Sequence, residues 1–410
     1  MARRFSVARN ADSCGEVNLG NLRRFIAVAA IAWASLSVAS EPKPFGSPAT
    51  HGYQPIGVDE KGIWAESDET ERELKNSKLL VRDEKLTAYL NKVLCREVGS
   101  ERCTAARIYV VRQPFFNASM YPNGMLTVFT GALIRFRNEA QLAAVLGHEF
   151  GHFEARHGLL GLKSRRNTAS WINWLTVISI GAGQYQDYRT AFWGNHYRFS
   201  RDQERDADFR GIRDMGTAGY RTLNASQIWS GLRSEDDATA TARGVKSLKD
   251  SPQGLFASHP MNAERMTYLA DEAVKVGVGN DFDGAAEYEA AISHLWPMLI
   301  DDQIKLNDFG GSEFLLASLA TNGWTGPLLY ARGELYRARG RATDVQQSAL
   351  FYRKATGMPD APAQAWRGLG LALARNGDRP GAKPAIDEYL KRNPQAGDKP
   401  MLLMIAGEAQ

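Results

Sequence analysis

The sequence predicts an α+β domain followed by an all-α repeat domain. Two runs, Arg107-Ile-Tyr-Val-Val-Arg112 and Met125-Leu-Thr-Val-Phe-Thr130, have the composition of strands, and helical periodicity dominates after them. His148-Glu149-Phe150-Gly151-His152 falls inside one of those helices. Beyond residue 285 the pattern changes to a spaced repeat of Gly, Ala and large apolar residues.

With 410 residues the chain can bury two cores. Hydrophobic residues at 44% and charged ones at 23% are ordinary for a soluble fold, and a formal charge of +4 leaves no basic footprint for nucleic acid. Part of that charge sits in residues 1–40, where Arg3, Arg4, Arg9, Arg23 and Arg24 face only Asp12 and Glu16. Arg23-Arg24, the apolar run from Phe25 to Val38 and small Ala39-Ser40 read as a secretory signal peptide. An uncleaved anchor is the alternative, although the run is short of the ~20 residues a membrane span needs. An initiator later than Met1 would account for the polar residues ahead of the run. Export leaves Cys95 and Cys103, which in an oxidising compartment are expected to form one disulfide.

Residues 41–75 are rich in Pro, Gly and charge and read as a linker. The metal-binding domain is expected over 76–280. It opens with a helix from Asp83, in which Leu86, Tyr89, Leu90, Val93 and Leu94 recur at helical spacing. Between the two strands, Pro114, Asn117-Ala118 and Pro122-Asn-Gly124 suit an edge strand and a turn. Asn138 with Gln141 three residues on marks the start of the motif helix, and Ser200 with Gln203 marks another that closes near Gly216–Gly219. Over 285–410 a repeat domain is expected. Trp366, Leu369, Gly370, Leu373, Ala382, Ile386, Tyr389 and Pro394 follow tetratricopeptide spacing, and Leu329, Gly333, Tyr336, Ala349, Tyr352 and Ala355 form a weaker copy.

At 3.6 residues per turn, His148 and His152 share one helix face and can reach one ion. Glu149, one residue over, is placed to take a proton from an attacking water and pass it to a leaving amine. A catalytic zinc site needs a third protein ligand, and Glu204 in Ser200-Arg-Asp-Gln-Glu-Arg-Asp-Ala-Asp208 is the candidate. Its helix can approach the first through Ala207 and Gly211, with Asp208 one turn on to fix an imidazole N–H. A solvated face is the competing reading of Glu204, given Asp202, Arg205 and Asp206 around it. His157 is expected to cap the motif helix as a cation at its C-terminal carbonyls.

These motifs together resemble the Oma/HtpX/BepA-like zinc metallopeptidases, kin to the CAAX prenyl proteases. Asn117-Ala118, Pro122-Asn-Gly124 and Thr130-Gly131 resemble the strand and turn ahead of the family's motif helix, and Phe256-Ala-Ser-His259-Pro260 with Arg265 resembles its His-Pro segment. The resemblance covers residues 80 to 275, with the repeats matching the periplasmic members. It implies a gluzincin-type domain with one Zn2+ per chain held by His148, His152 and Glu204, and with Glu149 as general base. His259 would be a fourth zinc ligand, an oxyanion donor or a helix cap, and Arg265 would pair with Asp208 or solvent. Where HtpX and the prenyl proteases can span the membrane, residues 169–183 are short and interrupted by polar side chains. They read instead as a lid, a peripheral membrane contact or a buried helix.

The expected activity is hydrolysis of exported polypeptides in the periplasm, as protein quality control. Substrate would add itself to the edge strand at Asn117 and Ala118. The repeats would dock a partner such as the outer-membrane assembly machinery. The alternative is a chaperone or assembly factor with a latent zinc site.

Overall fold

In the computed structural model, which describes residues 47–50, 52–167, 199–247, 263–277 and 280–407, the two strand-like runs pair side by side. Strand β1, Arg107–Val111, runs parallel to β3, Met125–Phe129, in the register Arg107↔Met125 to Val111↔Phe129. Strand β2, Ala118–Met120, lies antiparallel on the other side of β3, so the order is β1-β3-β2 and β2 is an edge. All five residues of β3 are buried, as befits a central strand covered on both faces. The turn into β3 requires glycine twice over. Gly124 has φ of 86°, and a Cβ there would lie 2.1 Å from the Ala105 carbonyl oxygen.

The expected signal segment 1–40, residues 169–183 and His259 lie outside the described residues. The expected linker 41–75 is different over its second half: Gly57–Asn76 is a 20-residue helix, α1. Its buried stripe is Glu60, Ile63, Ser67, Thr70, Glu71 and Leu74. Helical spacing is present, but only two of those six side chains are apolar, so hydrophobic periodicity could not reveal it. Polar pairing fixes the helix instead. Glu71 accepts from Arg107 at 2.8 and 2.6 Å, from the Tyr109 hydroxyl at 2.7 Å and from Asn123 at 2.9 Å.

Burial alone would raise the Glu71 pKa, but the hydrogen bonds from Arg107, Tyr109 and Lys75 outweigh it and hold the carboxyl at about 2. A depressed folded pKa contributes stability that is present above the ordinary carboxylate value and is lost as pH falls from there toward about 2. Glu71→Gln is therefore expected to cost about 2 kcal/mol at neutral pH. The difference should shrink as pH falls through that window in urea melts. A gap that stayed constant with pH would show that the carboxylate charge is not what anchors α1.

Helix α2, Glu84–Val98, starts at Asp83, whose side chain accepts from the Leu86 N–H, and buries Leu86, Leu90, Val93 and Leu94 as its spacing predicts. A disulfide joins its Cys95 to Cys103. After the short helix α3, Thr130–Leu133, comes the motif helix α4, Glu139–Glu154. The Asn138 side chain caps α4 through the Gln141 N–H, and every residue from Glu139 to Phe153 is buried. Helix α5, His157–Asn167, comes directly after it. Helix α6, Arg201–Thr217, begins with both halves of the Ser200–Gln203 capping box. Helices α7, Asn224–Arg243, and α8, Ala263–Val276, cover the far side of the site.

The expected break between 280 and 285 is not where the packing divides. Leu295, Leu299, Ile300, Leu315 and Leu316 belong to the same core as Leu126 and Leu146. Asp302 holds Arg112 at 2.7 and 2.8 Å, and Gln303 accepts from buried Arg135 at 3.1 Å. The helices Ala285–Ile292, Trp296–Lys305 and Phe309–Leu319 thus share the core of the sheet, which runs on through Leu328, Ala331 and Leu335. In sequence they merge with the C-terminal repeats because both segments are helical.

Beyond them stand two helical hairpins, Gly326–Arg339 with Asp344–Thr356 and Ala363–Arg375 with Arg379–Arg392, then Lys399–Ile405. The fully buried Tyr352 ring lies where a Cβ on Gly333 or on Gly368 would fall 2.5 or 2.7 Å from it. Gly370 faces Ile386 in the same way at 2.6 Å. Small residues therefore mark the places where these helices touch and large ones fill the spaces between.

Candidate metal centre

Small residues also set the approach of α4 and α6. A Cβ on Gly211 would lie 3.0 Å from the His148 main-chain nitrogen, and one on Gly151 equally close to the Ala207 carbonyl oxygen. This close crossing brings Glu204 over the two histidines. Glu204 is buried at 3% exposure, which removes the solvated-face reading.

The imidazoles of His148 and His152 meet edge to face, with their Nε2 atoms 3.1 Å apart. The Glu204 carboxylate oxygens lie 3.6 Å from each Nε2. One donor atom from each of the three side chains falls within 4.8 Å of the others, and the three residues are the metal-competent group among the described residues. With their protons on Nδ1, facing Asp208 and His157, both imidazoles would turn their Nε2 lone pairs to one point beside Glu204, a donor set that fits a divalent ion. Two nitrogens and one carboxylate are the protein donors of a common class of catalytic zinc site.

The other ring nitrogens are engaged as a metal site requires. His148 Nδ1 lies 2.8 Å from Asp208, and His152 Nδ1 lies 2.9 Å from Nδ1 of His157. Phe199 stacks on the His152 ring at 3.8 Å between centroids. Asp208 also accepts from Arg265 twice at 2.8 Å and from the Tyr268 hydroxyl at 2.7 Å. Burial would raise the Asp208 pKa, but the Arg265 guanidinium and His148 beside it hold it well below the carboxylate range. Arg265 reaches Glu204 as well, at 2.7 Å, so one buried guanidinium spans both acids. Of its two expected partners, Asp208 or solvent, Arg265 meets Asp208.

His157 differs from expectation. It begins α5 rather than ending α4, and it is buried. Burial, more than its charged neighbours, pushes its pKa down to about 4, so it is neutral at physiological pH and not the capping cation. Neutral His157 can accept from His152 while its Nε2 lies 3.4 Å from Asp206. His157→Ala is expected to weaken zinc binding about 10–100-fold, measured by competition with a chelator of known affinity. Unchanged affinity would leave Phe199 as the group that orients His152.

Glu149 is buried beside the three donors, and its Oε2 accepts from the Met120 N–H of the edge strand at 3.2 Å. Along β2 the main-chain groups alternate. The Asn117 carbonyl is used inward, accepting from Phe129 at 2.9 Å, so Ala118 and Met120 present the outer edge. The Asn117 carbonyl thus serves the sheet, at the start of the edge strand. Sequence reading also missed Tyr268 and Phe199. Tyr268 stands one helical turn after Arg265, a spacing that could have suggested it, whereas nothing local marks Phe199.

The model of Peptidase family M48 matches residues 81–273, just under half of the chain. Residues 81–273 carry a zinc metalloprotease domain. The chain is similar to the mitochondrial metalloendopeptidase OMA1 of Arabidopsis thaliana, 28% identical over 253 residues, which is 59% of this chain and 47% of that protein. Its Schizosaccharomyces pombe counterpart is 30% identical over 217 residues, 52% of this chain and 59% of the relative. The beta-barrel assembly-enhancing protease of Escherichia coli (strain K12) is 27% identical over 214 residues, 49% of this chain and 42% of the relative. The chain thus spans about half the length of the curated relatives it matches. No helix among the described residues is long and apolar enough to cross a membrane.

Proposed function

We propose that the chain is a zinc-dependent endopeptidase acting on exported polypeptides in the periplasm, in quality control of outer-membrane proteins. The observation that carries the activity is the buried meeting of His148, His152 and Glu204, with Glu149 alongside and tied to the edge strand. His148, His152 and Glu204 would hold the ion. Bound zinc supplies Lewis acidity to the scissile carbonyl. Ala118 and the Met120 carbonyl offer main-chain groups to an extended substrate, setting its backbone against Glu149. Glu149 takes the proton of the attacking water and returns it to the leaving amine. Asp208 and His157 keep the two imidazoles in the tautomers that face the ion.

The periplasmic assignment draws on the Cys95–Cys103 disulfide, which suits an oxidising compartment, and on the similarity to the bacterial beta-barrel assembly-enhancing protease. The hairpins at 326–392, read as tetratricopeptide-like repeats, would dock client or assembly partners. The purified chain is expected to hold one zinc per molecule and to cleave an unfolded polypeptide. Chelation should stop cleavage and added zinc restore it. A zinc-loaded chain that leaves unfolded polypeptides intact would support the chaperone alternative instead.

A further inference from the structure

Glu204 meets the two histidines because α4 and α6 keep one particular crossing. The helical period sorts each helix into neighbouring stripes, since a step of three residues turns the face by about 60°. On α4, His148 and His152 face the ion, Gly147 and Gly151 lie at the contact, and Phe150 and Glu154 form the outer flank. On α6 the matching stripes are Glu204 and Asp208, then Ala207 and Gly211, then Arg210 and Asp214. Two helices touching along a stripe of small residues could rock about it, opening one flank as the other closes. Arg265 ties the two acids together on the metal flank.

Arg102 spans the outer flank. Its Nε and Nη2 donate to the Glu154 carboxylate at 3.0 Å each, and its Nη1 and Nη2 donate to Asp214 at 3.0 and 3.1 Å. The guanidinium lies over the Phe150 ring at 5.3 Å. Arg210 joins the same flank, donating to Glu154 at 3.3 Å and to Asp206 at 2.8 Å. Isolated surface ion pairs contribute little, but a planar fork held at two points by each of two carboxylates, inside a network, is the geometry that does. Arg102 also starts from a fixed base, because the next residue, Cys103, is bonded to Cys95 of α2.

We propose that Arg102 is a positioning residue of the metal centre: by clamping Glu154 of α4 to Asp214 of α6 it stops the two helices from rocking and so holds Glu204 at His148 and His152. Arg102 acts through the helices that carry the three donors. The proposal rests on the zinc reading of the site.

The test measures zinc affinity of the full chain by chelator competition, beside the visible spectrum of the Co2+-loaded protein, whose bands report the geometry of the ion's donors. Arg102→Gln is expected to weaken zinc by about tenfold or more, the effect of losing a group that supports a ligand, and to alter the Co2+ bands. Arg102→Lys should restore only a minor part, because an ammonium cannot hold two carboxylates at two points each. Asp214→Asn, a second variant that keeps the shape of the flank, should alter the bands in the same way. Combined with Arg102→Gln it should add little, since both open one clamp. Arg112→Gln is the control. It breaks a two-point pair with Asp302, which lies on neither α4 nor α6, and should keep wild-type affinity and bands even if the metal-free chain is less stable. An equal loss of zinc in Arg102→Gln and Arg112→Gln would reduce Arg102 to a general stabiliser and overturn the proposal. So would an Arg102→Gln chain with wild-type affinity and Co2+ bands. A wild-type chain that takes up neither metal would instead remove the zinc reading, and the proposal with it.

Discussion

Glu149→Gln is expected to retain zinc and lose cleavage by about 10²–10⁴-fold or more, the range for removing a positioned general base. The amide keeps the shape of the carboxylate, so the buried site has no cavity to collapse into. It cannot accept a proton, so the attacking water is left without a base. Glu149 stands one residue off the face that carries His148 and His152, so the donors themselves are unaltered. Its Oε2 accepts from Met120 at 3.2 Å, and a Gln rotamer that presents its carbonyl oxygen preserves this contact. Metal analysis and kcat measured on the same preparation separate the two effects. Wild-type turnover in the variant would remove Glu149 from the chemistry, and loss of zinc would make it part of the ion's own shell.

This site was legible in the sequence wherever periodicity operates. His148 and His152 are four apart on a helix whose neighbours Leu142, Val145, Leu146 and Phe150 are apolar, so one element carries both the fold signal and the chemistry. The pairing of α6 with α4 was readable from Ala207 and Gly211, because close helix crossings need small residues. Helix α1 was not readable, since its buried stripe is mostly polar and its Glu60 and Glu71 are held by Arg156 and Arg107 in distant segments. A different limit hid His157. Its role depends on the bend between α4 and α5, where Arg156 takes φ of 57° and aims the next residue back at His152. Long-range polar pairing hid α1 and a local bend hid His157, and neither leaves a hydrophobic pattern in the sequence.

Arg265 is where that kind of pairing should have its largest energetic effect. Its guanidinium is fully buried between Glu204 and Asp208, at 2.7 Å from the first and 2.8 Å twice from the second. Burial opposes its charge, but the two carboxylates overcome this and keep it firmly protonated. Arg265→Leu would leave two buried acids against each other, and a destabilisation of about 3–5 kcal/mol is expected in denaturant melts of the metal-free chain. Arg265→Lys should recover little, because an ammonium cannot repeat the planar two-point contact with Asp208. Zinc, bringing two positive charges to Glu204, should restore part of the lost stability, so the Arg265→Leu defect is expected to be smaller with zinc than without. Adding Asp208→Asn to Arg265→Leu should also recover stability, since the second uncompensated charge is gone, while weakening the hold on His148 Nδ1. An Arg265→Leu chain as stable as wild type without metal would mean that the two acids are neutral when empty. The ion, rather than the arginine, would then be what keeps them charged.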